Sequence, residues 1–257
     1  MQPLSHFPLN PAYGAGTYRR RIRLTRQGNR VTAQLDDNNH ALWARLHHDG
    51  AVVTRTEGGF YRWPTTGCVS AAEGLGVLEG MALDAPLSAI YGGGRPLGAC
   101  THMFDIAALA MAHAGRAEAR RQWDVVIPDE QEGILTVSVL LDDRLIHAWR
   151  LDDLHIVAPA PLAGQSMLKG FTPWAMARFE GDALEAARVL RMGVFVARAR
   201  LHITDEVIRP LALFPERHGV CYAYSSPRVE TAENRRGTVV DMSDGVIEAP
   251  DPPPLID

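Results

Sequence analysis

Residues Gly92-Gly93-Gly94-Arg95-Pro96-Leu97-Gly98-Ala99-Cys100-Thr101-His102 set a glycine-rich loop, a thiol and an imidazole ahead of the apolar segment 103–114. Glycines let a backbone approach a ligand closely, and the free N–H groups at a helix N-terminus attract anions. A cysteine at that end has its thiolate favoured by the helix dipole, so the stretch predicts a lowered pKa for Cys100. Such a thiolate can attack a thioester or another activated carbonyl.

Two other chemistries use the same residues. His102, held by a carboxylate such as Asp105, can act as general acid or base near neutral pH, with the Gly98–Cys100 backbone as anion hole. Arg45 or Arg95 then anchors the acid group of a substrate, and His40 joins them in the substrate-binding set. Alternatively, Cys68, Cys100 and His102 are of the types that hold zinc. They lack paired ligand spacing, so the fold would have to assemble them. Among these, His102 as acid/base with Cys100 as nucleophile or pocket wall and Asp105 as orienting carboxylate is the reading carried forward.

Positioning these residues requires strands and helices, and the chain has signals for both. Alternation predicts strands at 18–25, 30–35 and 40–47, with Asp36-Asp37-Asn38-Asn39 as a turn. A second set falls at 123–127, 134–141 and 145–151, with a turn at Asp142-Asp143. The two sets share an Asp pair followed by His, Trp, Arg and Leu, which suggests a unit repeating after roughly 105 residues. In each half a capped helix follows, at about 70–82 and 182–196. Further strands are expected at 201–203, 207–213, 220–225 and 237–242. The expected organisation is a 1–16 irregular leader, a first half at 17–116, a second half at 117–247 and a 248–257 disordered tail. The expected class is α+β, with antiparallel sheet and helices packed on one face as two tandem meander-plus-helix units. A dinucleotide-binding fold is disfavoured, because Gly92-Gly93-Gly94 does not match Gly-x-Gly-x-x-Gly and follows no buried strand.

Composition narrows the classes. The chain has 257 residues, is 46% hydrophobic and carries a formal charge of -4, so no basic field is present for nucleic acid or an anionic membrane. Lys169 is the only lysine. Arg19, Arg21 and Arg23 share one face of the first strand. They read either as a solvated edge or as a site for the phosphates of a coenzyme A tail. Three scattered cysteines give no disulfide framework, and neither a signal peptide nor a membrane span is evident. A cytoplasmic protein, with a homo-oligomer allowed, is the expectation.

The first half resembles a bacterial family known only as a domain of unknown function, DUF2889. The resemblance rests on Arg20-Arg21-Ile22-Arg23, His40-Ala41-Leu42-Trp43-Ala44-Arg45-Leu46, Cys68, Leu78-Glu79-Gly80, Gly98-Ala99-Cys100-Thr101-His102-Met103 and Asp105, in that order. It covers about 20–114, and it departs from the family at Ala41, where an aspartate is frequent. It implies a setting in the catabolism of aromatic or acyl-CoA compounds and transfers no activity. The combined expectation is a hydrolase or lyase acting on an acyl thioester or β-keto acyl compound. No resident cofactor is expected, and coenzyme A enters only as part of a substrate. A non-catalytic accessory subunit of a catabolic complex and a zinc-stabilised interaction module stay open as alternatives.

Overall fold

Tyr18, Arg20, Ile22 and Leu24 alternate with Arg19, Arg21 and Arg23, which is the pattern of a strand with two differently covered faces. In the computed structural model, which describes residues 6–254, this strand is β1 (Thr17–Gln27), and it lies at the centre of one sheet. The others are β2 (Arg30–Asp37), β3 (Ala41–His48), β4 (Val53–Arg62), β5 (Arg120–Pro128), β6 (Ile134–Leu141), β7 (Arg144–Asp152) and β8 (His155–Ala158). Their order is β4-β3-β2-β1-β5-β6-β7-β8, with every neighbouring pair antiparallel. Each half therefore contributes a four-stranded meander, and β1 and β5 join the two halves back to back.

The described residues include four α-helices, in chain order α1 (Leu87–Ile90), α2 (Thr101–Ala114), α3 (Phe171–Arg178) and α4 (Gly181–Ala197). α2 packs over β1, β2 and β3, and α4 packs over β5, β6 and β7. Both lie on the face that carries Tyr18, Ile22, Leu35, Leu42, Trp123 and Val125, all at most 3% exposed. Removing these side chains from water stabilises the sheet–helix layer by ~2 kcal/mol each. Gly193 lets α4 sit on the sheet, since a Cβ there would lie 2.8 Å from Val125. The expected α+β architecture with helices on one face is what the chain adopts.

The equivalent hairpins diverge in detail. At β6–β7, Asp142 and Asp143 both have positive φ (47° and 63°) and form a two-residue turn that suits the strand twist. At β2–β3, Asp36 and Asp37 instead complete β2.

Several expectations are corrected. The helix expected at about 70–82 is a 3-10 helix over Thr66–Leu78. Gly74 explains part of this, because a Cβ there would fall 1.9 Å from the Gly98 carbonyl oxygen. The strands expected within 201–242 are absent. That region runs as loops with short 3-10 turns at Leu211–Leu213, Pro215–Arg217 and Arg228–Glu230. It does not belong to the second half alone, because it returns to the first half through Thr66 N–H to Glu233 O (2.9 Å) and Val240 N–H to Asn38 O (2.9 Å).

The 248–257 tail is also corrected as far as residue 254, and 255–257 fall outside the described residues. The Ala249 N–H donates to Asp36, while the carbonyls of Pro250, Asp251 and Pro253 accept from Gln34, Tyr61 and Arg45. Composition signalled disorder, but fixed polar partners on the outer sheet face hold the segment down. Of the leader, 1–5 lie outside the described residues, and 6–16 are irregular apart from a bridge of Leu9 to His202.

Candidate functional site

Asp36, Asp37, Asn38, Asn39 and His40 have the composition of an exposed turn, yet every one is buried. Arg20 is the reason. It sits in the apolar register of β1 with its Cα paired to Asp37. Its Nε and Nη2 donate to Asp37 Oδ2 at 3.0 and 2.7 Å. The Tyr18 hydroxyl donates to the same oxygen at 2.9 Å. Oδ1 accepts the Asn39 and His40 N–H groups at 2.8 and 2.7 Å. Arg62 closes the turn from outside by donating to the carbonyls of Asp37, Asn38 and His40. Buried polar groups survive only when satisfied in this way.

Asp37 also orients an imidazole. His40 Nδ1 lies 3.1 Å from Asp37 Oδ1, and the carboxylate fixes Nδ1 as the protonated nitrogen. Burial works against the charge on Asp37, but His40 and Arg20 outweigh it and hold the carboxyl well below its usual range. The His102 ring stands 4.4 Å from that of His40. Burial, then the neighbouring His40 and Arg20, hold His102 far below the ordinary imidazole pKa, so it is neutral. Its Nδ1 is buried without a partner among the described residues.

On the other side of Arg20 a cleft of about 390 Å³ opens between α2 and α4. Ile22 and Leu35 form its floor, Ile106 and Leu109 one wall, and Val189 and Met192 the opposite wall. Residues of α1 and α3, among them Leu87 and Met176, border it. Its polar groups are few: Arg20, Ser88, Tyr91, Asp105, Thr172, Arg188 and Arg191. The Tyr91 hydroxyl donates to Asp105 Oδ1 at 2.7 Å, and Arg188 donates to the same hydroxyl. Burial raises the Asp105 pKa, against the pull of Arg188 and the Tyr91 hydrogen bond. A largely apolar cavity with a few convergent polar groups is the usual form of a small-molecule site.

The residues singled out in the sequence scatter around this centre. Asp105 lines the cleft, but it is held by Tyr91 and does not orient His102. His40 and His102 come together behind Arg20. Cys100 precedes α2 as expected, yet burial pushes its thiol up rather than down, against the small opposing effect of the His102 and Met103 N–H groups. Desolvation therefore overrides the helix dipole, and the lowered pKa is corrected. The proposed anion hole is occupied: the Ala99 N–H donates to Pro96 O and the Cys100 N–H to Ala71 O. The Gly98 carbonyl instead packs against Gly74.

The expected anchors are elsewhere. Arg95 closes its own loop on the carbonyls of Ala89 and Gly92. Arg45 lies on the outer face between Glu57 and Pro253. Arg21 and Arg23 are neutralised by Glu248 and Asp124, which removes them as a phosphate site. Cys68 packs with Cys221 beside Leu211 and Ala223. Among the described residues no three His, Cys, Asp or Glu side chains are placed to share a metal ion, so the Cys68, Cys100 and His102 set is not assembled.

Sequence reasoning missed Arg20, Asp37, Tyr91, Arg188 and Arg191. One signal was present for Arg20, since an arginine among Tyr18, Ile22 and Leu24 needs a buried acceptor. No family model, curated protein or solved structure matches the chain. Among the described residues no helix is long and apolar enough to cross a membrane.

Proposed function

We propose that the chain is a small-molecule hydrolase or lyase that takes the apolar acyl portion of its substrate into the cleft between α2 and α4. The observation that carries this reading is Asp105, a carboxyl group on the wall of a largely apolar cleft, facing Arg188. A carboxyl whose pKa is raised by burial in an apolar wall is of the kind that can give or take a proton as water attacks a carbonyl or a carbon–carbon bond breaks. Tyr91 holds Asp105 in place through one oxygen, leaving the other for substrate or water. His40, oriented by Asp37, and neutral His102 support the site from behind Arg20 as positioning residues.

The cleft is too small to enclose a coenzyme A moiety, so a thioester substrate would seat its acyl end there and leave the nucleotide outside. A binding-only role is the second reading, favoured by the mutual engagement of Arg188, Tyr91 and Asp105, which occupies the groups a catalyst would use. Turnover of acyl thioesters and β-keto acids by the wild type and by Asp105→Asn separates the two. The enzymatic reading expects wild-type turnover and a loss of roughly 10²- to 10³-fold in the variant. Ligand binding with no turnover in either protein supports the binding role.

A further inference from the structure

The cleft carries an unbalanced charge. Of its three arginines, Arg20 is closed off by Asp37, which is itself wholly buried. Arg188 and Arg191, one turn apart on α4, both feel the nearby Asp105 carboxyl, but among the described residues neither is paired with it directly. Arg188 spends a donor on the Tyr91 hydroxyl and stacks on that ring with its guanidinium carbon 4.7 Å from the centroid.

Arg191 is differently placed. Its Nε donates to the Met167 carbonyl at 3.0 Å, and among the described residues no acceptor engages either Nη group. Its guanidinium lies over Phe195 at 4.8 Å and Phe171 at 5.8 Å, contacts that with the Nε hydrogen bond restrict its movement. The result is a held pair of donors on an apolar cleft wall with no carboxylate paired to it directly among the described residues. A planar guanidinium in such a setting matches a carboxylate, which it binds with two parallel hydrogen bonds.

From this we infer that the cleft is a site for an apolar monocarboxylate, with Arg191 reading the carboxylate and the aliphatic walls taking the hydrocarbon or aromatic body. The inference rests on the cleft being the ligand site and adds the charge that the ligand must carry. Of the substrates proposed above this favours the β-keto acid, whose free carboxylate a simple acyl thioester lacks. A neutral ester or amide of the same shape would leave Arg191 unpaired.

The test is isothermal titration of the purified chain with matched acid and amide probes, 4-phenylbutyrate against 4-phenylbutyramide and hexanoate against hexanamide. The expected result is that wild-type protein binds each acid about tenfold or more tighter than its amide, the size of a charge-assisted pair. Arg191→Gln should lower the acid to the affinity of its amide and leave the amide unchanged. Arg191→Lys should recover part of the preference. Equal wild-type affinity for acid and amide would overturn the inference while leaving the cleft as a ligand site. No binding of any of the four probes would remove the cleft reading and the inference together. The wild-type comparison stands even if a variant at Arg191 folds poorly.

Discussion

Asp36 and Asp37 are adjacent in sequence, and the alternation of β2 sends them to opposite faces and opposite electrostatic fates. Asp37 faces the helices and is held well below its usual pKa despite burial. Replacing it with alanine leaves the Arg20 guanidinium buried without its partner, a loss expected to cost ~3–5 kcal/mol. The double variant Arg20→Met, Asp37→Leu removes the unpaired charge but still strands the Tyr18 hydroxyl and the Asn39 and His40 N–H groups, so it should recover only part of that, measured by urea unfolding.

Asp36 faces the C-terminal segment, and its pKa is raised to about 6 by burial, with the Ala249 hydrogen bond and Arg23 pulling the other way. A carboxyl raised in the folded state holds a proton that the unfolded chain has released. Its contribution is therefore lost as pH rises from the unfolded value near 4 through about 6. Relative to Asp36→Asn, the wild type should lose on the order of 2–3 kcal/mol of stability between pH 4 and pH 8. A flat difference over that range would show that Asp36 ionises normally.

At the scale of elements, six of the eight strands follow directly from alternation, because one sheet face is buried under helices and the other is largely polar. β4 escapes the pattern: after Val53 its residues are exposed or half-buried, with Gly58 and Gly59 in place of side chains. β8 has only four residues and offers too short a pattern. The strands expected in 201–242 show the reverse error, where alternating apolar residues serve as separate anchors for a loop. Gly74 is the point at which the 3-10 segment meets the glycine-rich loop. Alanine there would overlap the Gly98 backbone, so Gly74→Ala is expected to destabilise by ~2–3 kcal/mol in chemical unfolding.

The C-terminal strap makes a parallel case. Deleting the chain after Ile247 removes the Glu248 pairs to Arg21 and Arg23 and five hydrogen bonds to the outer face. A loss of ~2 kcal/mol is expected. Faster amide exchange at β1, β2 and β3 should accompany it. Unchanged stability and exchange would mean that the strap is decoration.

For the molecule as a whole, the fold class and most strands were legible, while the strand order and the cleft were not. Asp105, His102 and His40, singled out by residue type, lie on the cleft wall or behind Arg20. The cleft itself needs residues separated by up to 172 positions, from Arg20 to Met192, and no local pattern reports which helices will face each other across β1. Arg188 and Arg191 look in sequence like the solvated face of an amphipathic helix. Only the packing of α4 beside α2 turns that face inwards. Cys100 failed for a related reason, because its helix terminus is covered by the 3-10 segment and burial outweighs the dipole. The central claim is thus a claim about a cavity, and a cavity can be filled.

The most direct measurement is the melting temperature of the wild type and of Met176→Trp against apolar carboxylic acids and their acyl thioesters. Met176 borders the cleft and is 45% exposed, so a tryptophan there can obstruct the mouth with little disturbance to the core. A ligand that binds only the folded state raises the midpoint by mass action. The account predicts a rise for wild type that is lost in Met176→Trp, with the unliganded midpoints nearly equal. A rise of the same size in both proteins, or none in the wild type, would contradict it.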